Sequence, residues 1–135
     1  MPNNLREKVR KVIEQRGLCS YMNTTKWKEL CNSMIEEMPF PPPFIIKYLF
    51  DEKCDEEQSF QQDVWYWGDW EFDDSSDDFY ISIEWIKIRP RYLKGRGSLI
   101  KPNIISAENE LVHLLEKYNI PFVENDGVYC IYGYR

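Results

Sequence analysis

The chain of 135 residues holds one histidine and six glycines, and its four cysteines, Cys19, Cys31, Cys54 and Cys130, never stand in a C-x-x-C pair. Structural zinc sites gather their ligands in close pairs, so this sparse set argues against a metal centre, and no cofactor is expected. Gly95-Arg96-Gly97 is too short for a phosphate-cradling Walker loop or a dinucleotide fingerprint. No apolar stretch approaches the ~18 residues a membrane span requires. The opening residues Met1 to Lys8 contain no apolar core of a secretory signal, so the expectation is a soluble cytoplasmic protein with reduced cysteines. Basic residues are also in the minority: 17 Lys and Arg against 23 Asp and Glu give a net charge of -6. That balance argues against general binding to nucleic acid or to an anionic membrane.

What the chain does have is a core's worth of apolar residues, 43%, and an aromatic fraction of 16%. Its length suits one domain. The charges are segregated. Residues 1–29 hold seven basic and three acidic side chains, residues 36–84 two basic and fifteen acidic, and residues 85–101 six basic and no acidic. Nine of the aromatics fall from Phe60 to Trp85, all but Trp85 inside the acidic segment.

Helical periodicity places a first helix over Leu5 to Arg16, with Leu5, Val9, Val12 and Ile13 on one face, Asn4 and Glu7 as a capping pair, and Gly17 as the stop. A second helix follows Thr25, with Trp27, Leu30, Cys31, Met34, Ile35 and Met38 as its apolar stripe and Pro39 as its end. Pro41, Pro42 and Pro43 form a stiff extended connector. Phe44 to Phe50, Val64 to Phe72 and Phe79 to Ile88 read as strands; Asp51 to Gln62 reads as a loop and Arg89 to Pro102 as irregular chain. Ser106 is positioned to cap a third helix bearing Leu111, Leu114, Leu115 and Tyr118. Asn125-Asp126-Gly127 turns a C-terminal hairpin between Ile120–Glu124 and Val128–Tyr134. These elements predict an α+β domain: a mainly antiparallel sheet, about three helices packed on it, and a C-terminal β-hairpin. Residues 1–21 are expected as an N-terminal helical extension of a domain over residues 22–135.

Four constellations could carry chemistry. His113 lies beside Glu110, Glu116 and Lys117 on the flank of a helix, as a surface histidine does. Asp73, Ser75, Asp77 and Glu84 match four calcium-loop positions, but Asp78 occupies the place where that loop needs glycine. Asp69 and Glu71 flank Trp70, and paired carboxylates among aromatics are also the equipment of a small glycoside-type hydrolase. Strand alternation would put Trp65, Trp67, Asp69 and Glu71 on one face, unless Gly68 bulges. Lys87, Arg89, Arg91, Lys94, Arg96 and Lys101 could grip phosphates and so form a nucleic-acid-binding module, although a solvated basic loop fits the same residues.

The acidic stretch with interleaved aromatics is the strongest interaction signal. Trp and Tyr are common anchors of protein interfaces, and surrounding carboxylates steer a basic partner. Solvated charge over an aromatic core is the alternative reading of the same residues. The expected contacts are Trp67, Asp69, Trp70, Glu71, Asp73, Asp74, Asp77 and Asp78.

Several blocks together resemble a family of small bacterial proteins of unknown function: Thr25-Lys-Trp-Lys-Glu-Leu30, Ile46-Lys-Tyr-Leu49, Trp67-Gly-Asp-Trp-Glu71, Ile83-Glu-Trp85, and Ile120-Pro-Phe followed by Asn125-Asp-Gly127 and Ile131-Tyr-Gly-Tyr-Arg135. The resemblance runs from about Met22 to the C-terminus and implies no catalytic residue. Small acidic proteins of this kind are similar in type to toxin-immunity proteins. The resulting expectation is a non-enzymatic binding protein, most concretely an immunity protein that neutralises a basic toxin domain.

Overall fold

The computed structural model describes residues 4–73, 78–97 and 99–135. Helix α1 spans Asn4–Arg16 and α2 spans Thr24–Glu36. Strand β1 is Phe44–Tyr48, and two single turns of 3-10 helix follow at Asp55–Glu57 and Ser59–Gln61. The one-turn helix α3 is Asp78–Ile81. Then come β2 (Ile83–Ile88), β3 (Arg91–Lys94), β4 (Asn103–Ser106), α4 (Glu108–Lys117), β5 (Val123–Asn125) and β6 (Val128–Tyr132). A four-stranded antiparallel sheet has the order β1-β2-β6-β5, and β3 and β4 form a separate antiparallel pair. The α+β class, the antiparallel pairing and the C-terminal hairpin are as expected.

The sheet divides the interior by strand alternation. Phe44, Ile46, Ile86, Ile88, Tyr129 and Ile131 share one face and pack with Trp27, Leu30, Cys31 and Met34 of α2 and Leu111, Leu114 and Leu115 of α4. On the other face Ile45, Trp85 and Cys130 form a smaller cluster, covered by Cys54 and Phe60 from the loop after β1. A bulge in β2 sets this division. Tyr48 pairs with Ile83 but Lys47 pairs with Trp85, so Glu84 is the extra residue. Ile83 and Ile86 therefore enter the main core, whereas Trp85 turns to the opposite face. An unbroken strand over Phe79 to Ile88 would put Ile83 and Trp85 on one face; the bulge at Glu84 separates them.

Local chemistry explains the helix ends. Asn23 caps α2, its side chain accepting from the Lys26 amide at 2.8 Å. The α4 cap is Ala107, with no side-chain hydrogen bond. The expected cap, Ser106, is instead paired with Arg91 across β3 and β4. Glu108 and Glu110 in the first turn of α4 still complement its dipole. In the hairpin, Asp126 and Gly127 have φ of +52° and +78°, the left-handed pair a two-residue type I′ turn requires.

Three further expectations are corrected. Phe79–Ile81 is helical, because Asp78 opens a single turn and the Ser82 hydroxyl closes it on the Phe79 carbonyl at 2.9 Å. The segment expected to be irregular, 89–102, contributes β3, with Pro90 and Pro102 just outside the paired strands rather than within them. Val64–Phe72 is not a strand. Its neighbour is the Pro41–Pro43 connector, which has no backbone N–H to offer a ladder. The three proline carbonyls instead accept separately, from the Gly68 amide (3.1 Å), the Trp70 indole (2.8 Å) and the Arg89 amide (3.0 Å).

Helix α1 lies against α3 and buries only Val9. The chain after it joins the C-terminus: the amide of Cys19 donates to the Arg135 carbonyl and that of Arg135 to the Cys19 carbonyl, each at 2.9 Å, and Ser20 bridges Tyr134. All four cysteines are free thiols, with Cys31, Cys54 and Cys130 buried and Cys19 exposed.

Candidate partner-binding surface

The chain between Val64 and Asp73 is irregular but firmly seated. At its start the Val64 carbonyl accepts from the Leu93 amide of β3 at 2.7 Å. At its middle Gly68 lies so close to the connector that a Cβ there would be 2.2 Å from the Pro42 carbonyl oxygen and 2.8 Å from the Phe44 ring. Only glycine fits. At its end Trp70 is driven into the core, its ring centroid 4.2 Å from that of Phe44, and Phe72 continues the packing onto Phe79 at 4.9 Å.

Between these anchors the chain presents three consecutive aromatic side chains to solvent: Trp65 is 62% exposed, Tyr66 56% and Trp67 54%. Trp67 is held edge-on against Tyr92, with centroids 5.8 Å apart, and stacks on Phe40 at 6.4 Å. Trp65 lies beside Gly95 at the start of the β3–β4 tip. The tip carries exposed Lys94, Arg96, Lys101, Leu99 and Ile100, and Arg96 Nε donates to the Lys101 carbonyl at 2.9 Å. On the other side of the aromatic triplet come exposed Asp69, Glu71 and Asp73.

The expected contact residues therefore divide. Trp67, Asp69, Glu71 and Asp73 are on one exposed run of chain, and Asp78 opens α3 with Arg6 at 3.9 Å from its carboxylate. Trp70 is a correction: at 2% exposure it is a core residue, and its role is to anchor the run rather than to touch a partner. Asp74 and Asp77, like Ser75 of the calcium-loop match, lie outside the described residues. Glu84, the last position of that match, is held elsewhere, its Oε1 2.8 Å from Lys47 and 2.7 Å from Arg16. Burial opposes the charge on Glu84, but the hydrogen bonds from Arg16 and Lys47 together outweigh it and hold the carboxyl below its ordinary range.

Asp69 and Glu71 are both exposed, and Asp69 Oδ1 accepts from the Glu71 amide at 3.1 Å, closing a local turn. Two concavities among the described residues, of about 630 and 480 Å³, are lined by other residues, among them Lys47 and Glu84 in the first and Phe60, Lys87 and Arg89 in the second. His113 is exposed on α4, in the surface role expected of it.

Much of the basic segment meets the acidic one internally. Lys87 pairs with Glu57. Arg89, buried, donates from Nε and Nη2 to the Phe60 carbonyl, and burial lowers its pKa. Asp63 Oδ1 lies 3.3 Å from Arg91 Nε in a half-buried ion pair whose facing atoms are shielded from solvent but not aligned for a hydrogen bond. Lys94, Arg96 and Lys101 at the tip make no ion pair among the described residues, and neither do Asp69 and Glu71. Leu99, Ile100 and Ile104 are also exposed, and their only mark in the sequence is an apolar pair wedged between Gly97 and Lys101-Pro102.

Fold and surface together define a small α+β domain with a braced, exposed aromatic loop. A family model matches residues 9–135, and the chain belongs to that family, described as a family of unknown function (DUF6678). The match begins within α1. No curated protein and no solved structure matches the chain.

Proposed function

We propose that this chain is a non-enzymatic protein-binding domain, and that its concrete role is that of an immunity protein neutralising a basic toxin domain. The observation that carries the reading is the exposure of Trp65, Tyr66 and Trp67 in succession on a loop fixed at both ends. Exposing three large aromatics forgoes the stabilisation of burying them, and a rigid aromatic anchor loses little conformational entropy when a partner covers it. Asp69, Glu71 and Asp73 beside it supply the negative field that speeds encounter with a basic surface. Asp69 and Glu71 act here as surface charges; a hydrolase would need a cleft enclosing both.

The test is co-expression with the product of the adjacent gene. The wild-type chain is expected to protect the host cell and to bind that product with an association rate that falls as salt rises. The W65A/W67A variant is expected to keep its fold by circular dichroism and lose protection. An adjacent product that is harmless, or that kills regardless of this chain, would remove the immunity role. Binding unaffected by W65A/W67A would remove the surface.

A further inference from the structure

Six of the ten large apolar side chains most exposed on the described surface gather around one place: Trp65, Tyr66, Trp67, Leu99, Ile100 and Ile104. The contacts give this place an order along the chain. The β3–β4 tip, with Lys94, Arg96 and Lys101, reaches Trp65 through Gly95. Trp67 comes next, against Tyr92. The chain then passes Pro42 at Gly68 and Phe44 at Trp70, and reaches Phe79 of α3 at Phe72, so exposed Asp69, Glu71 and Asp73 follow the aromatic triplet on the stretch of chain that leads away from its contact with the tip. No acidic residue occurs between Trp85 and Ala107 to neutralise the basic end. The surface is a strip: cationic at one end, apolar in the middle, anionic at the other.

We infer that this strip is self-complementary and docks a second copy of the chain across a two-fold axis passing through the aromatic loop. An isologous contact places the same patch on both subunits, so that where one residue meets a second on the partner, the second meets the first in return. Rotation about an axis lying in the contact plane, across the strip, brings Lys94 and Lys101 of each copy over Asp69 and Glu71 of the other. It also seals Trp65 and Trp67 between the copies. Two ionic ends and one aromatic centre are thereby satisfied at once. A partner of single charge could satisfy only one end. This inference does not depend on the immunity role, since it concerns the purified chain alone; a basic partner would compete with the second copy for Trp65 and Trp67.

Sedimentation equilibrium of the full chain over a concentration series tests it. A reversible dimer is expected, with a dissociation constant that rises by roughly tenfold or more from low to high salt as the charges are screened. K94E/K101E makes both ends anionic and D69K/E71K makes both cationic, so each variant alone is expected to be monomeric. Mixed in equal amounts, the two are expected to associate again as a heterodimer. Circular dichroism checks folding, and E71K, which leaves the Asp69 turn intact, gives the same weakening in smaller degree if D69K/E71K fails to fold. A wild-type chain that stays monomeric overturns the inference. So does a dimer that survives in both charge variants, and so does a mixture of folded variants that stays monomeric.

Discussion

Glu84 is charged in a place where burial opposes the charge. Its side chain is 12% exposed and its partner Lys47 is 10% exposed, while Arg16, the other partner, is 43% exposed. The exposed arginine is screened by solvent and contributes little by itself. The buried lysine matters more, because among the described residues its ammonium has no other charged partner and only a 3.4 Å approach to the Tyr48 carbonyl. Glu84→Gln would strand that ammonium, and breaking one side of a buried pair typically costs about 3 kcal/mol or more. The pH dependence follows from the lowered pKa of Glu84. A carboxyl held below its ordinary value of 4.5 stabilises the fold fully above that value, and the contribution disappears as pH falls through its folded pKa. Urea denaturation midpoints should therefore fall on acidification below about pH 4.5 in the wild type, with E84Q starting lower at neutral pH and falling less. A variant that matches the wild type at pH 7 would show that Lys47 finds another partner.

The aromatic loop is the element whose nature the sequence disguised. Val64 to Phe72 alternates well enough to read as a strand, and period-two patterning is what a strand requires. Alternation reports side-chain direction only. It says nothing of where the backbone hydrogen bonds go, and here the neighbouring chain is three prolines that accept but cannot donate. The same blindness hid the bulge at Glu84 and the β3–β4 pair, whose partner strands are nine residues apart across a glycine-bearing tip. By contrast, α2, α4 and the Asp126-Gly127 hairpin were legible, because a 3.6-residue stripe and a left-handed turn are local facts. For the candidate surface, the sequence pointed to the acidic aromatic segment and placed Trp70 among its exposed contacts; the hydrogen bond to the Pro42 carbonyl, 28 residues back, is what separates buried Trp70 from exposed Trp65, Tyr66 and Trp67. Gly68 is the hinge of this arrangement. Gly68→Ala would force the loop off Pro42 and Phe44, an overpacking cost of about 1–3 kcal/mol. Its thermal midpoint should drop, and the tryptophan fluorescence of the folded protein should change as Trp70 loses its seat. An unchanged midpoint would mean the loop relaxes without strain.

At the scale of the whole molecule, the question is how much of the fold depends on α1. The main core runs from Met22 to Ile131 and the second cluster from Ile45 to Cys130, so neither contains an α1 residue. The helix contributes the buried Val9, a half-buried Leu5, Val12 and Ile13, and the exposed end of the Glu84 pair. Against that stands the backbone junction between Cys19 and Arg135, which lies outside the helix and would survive its removal. Deleting residues 1–17 should therefore leave a chain that still folds cooperatively. Full burial of one valine is worth about 1.5–3 kcal/mol, and the half-buried residues add a fraction of that each, so a loss of about 2–4 kcal/mol is expected. Small domains have roughly 5–15 kcal/mol to lose. Denaturant unfolding of the shortened chain should show a single transition at a lower midpoint, with a slightly smaller dependence on denaturant because less surface is exposed on unfolding. The aromatic strip should keep its activity in the sedimentation assay, since Phe40, Trp67 and Tyr92 brace one another without help from α1. A broad or absent transition would show instead that α1 is part of the cooperative unit, as the start of the family match within that helix, at residue 9, allows.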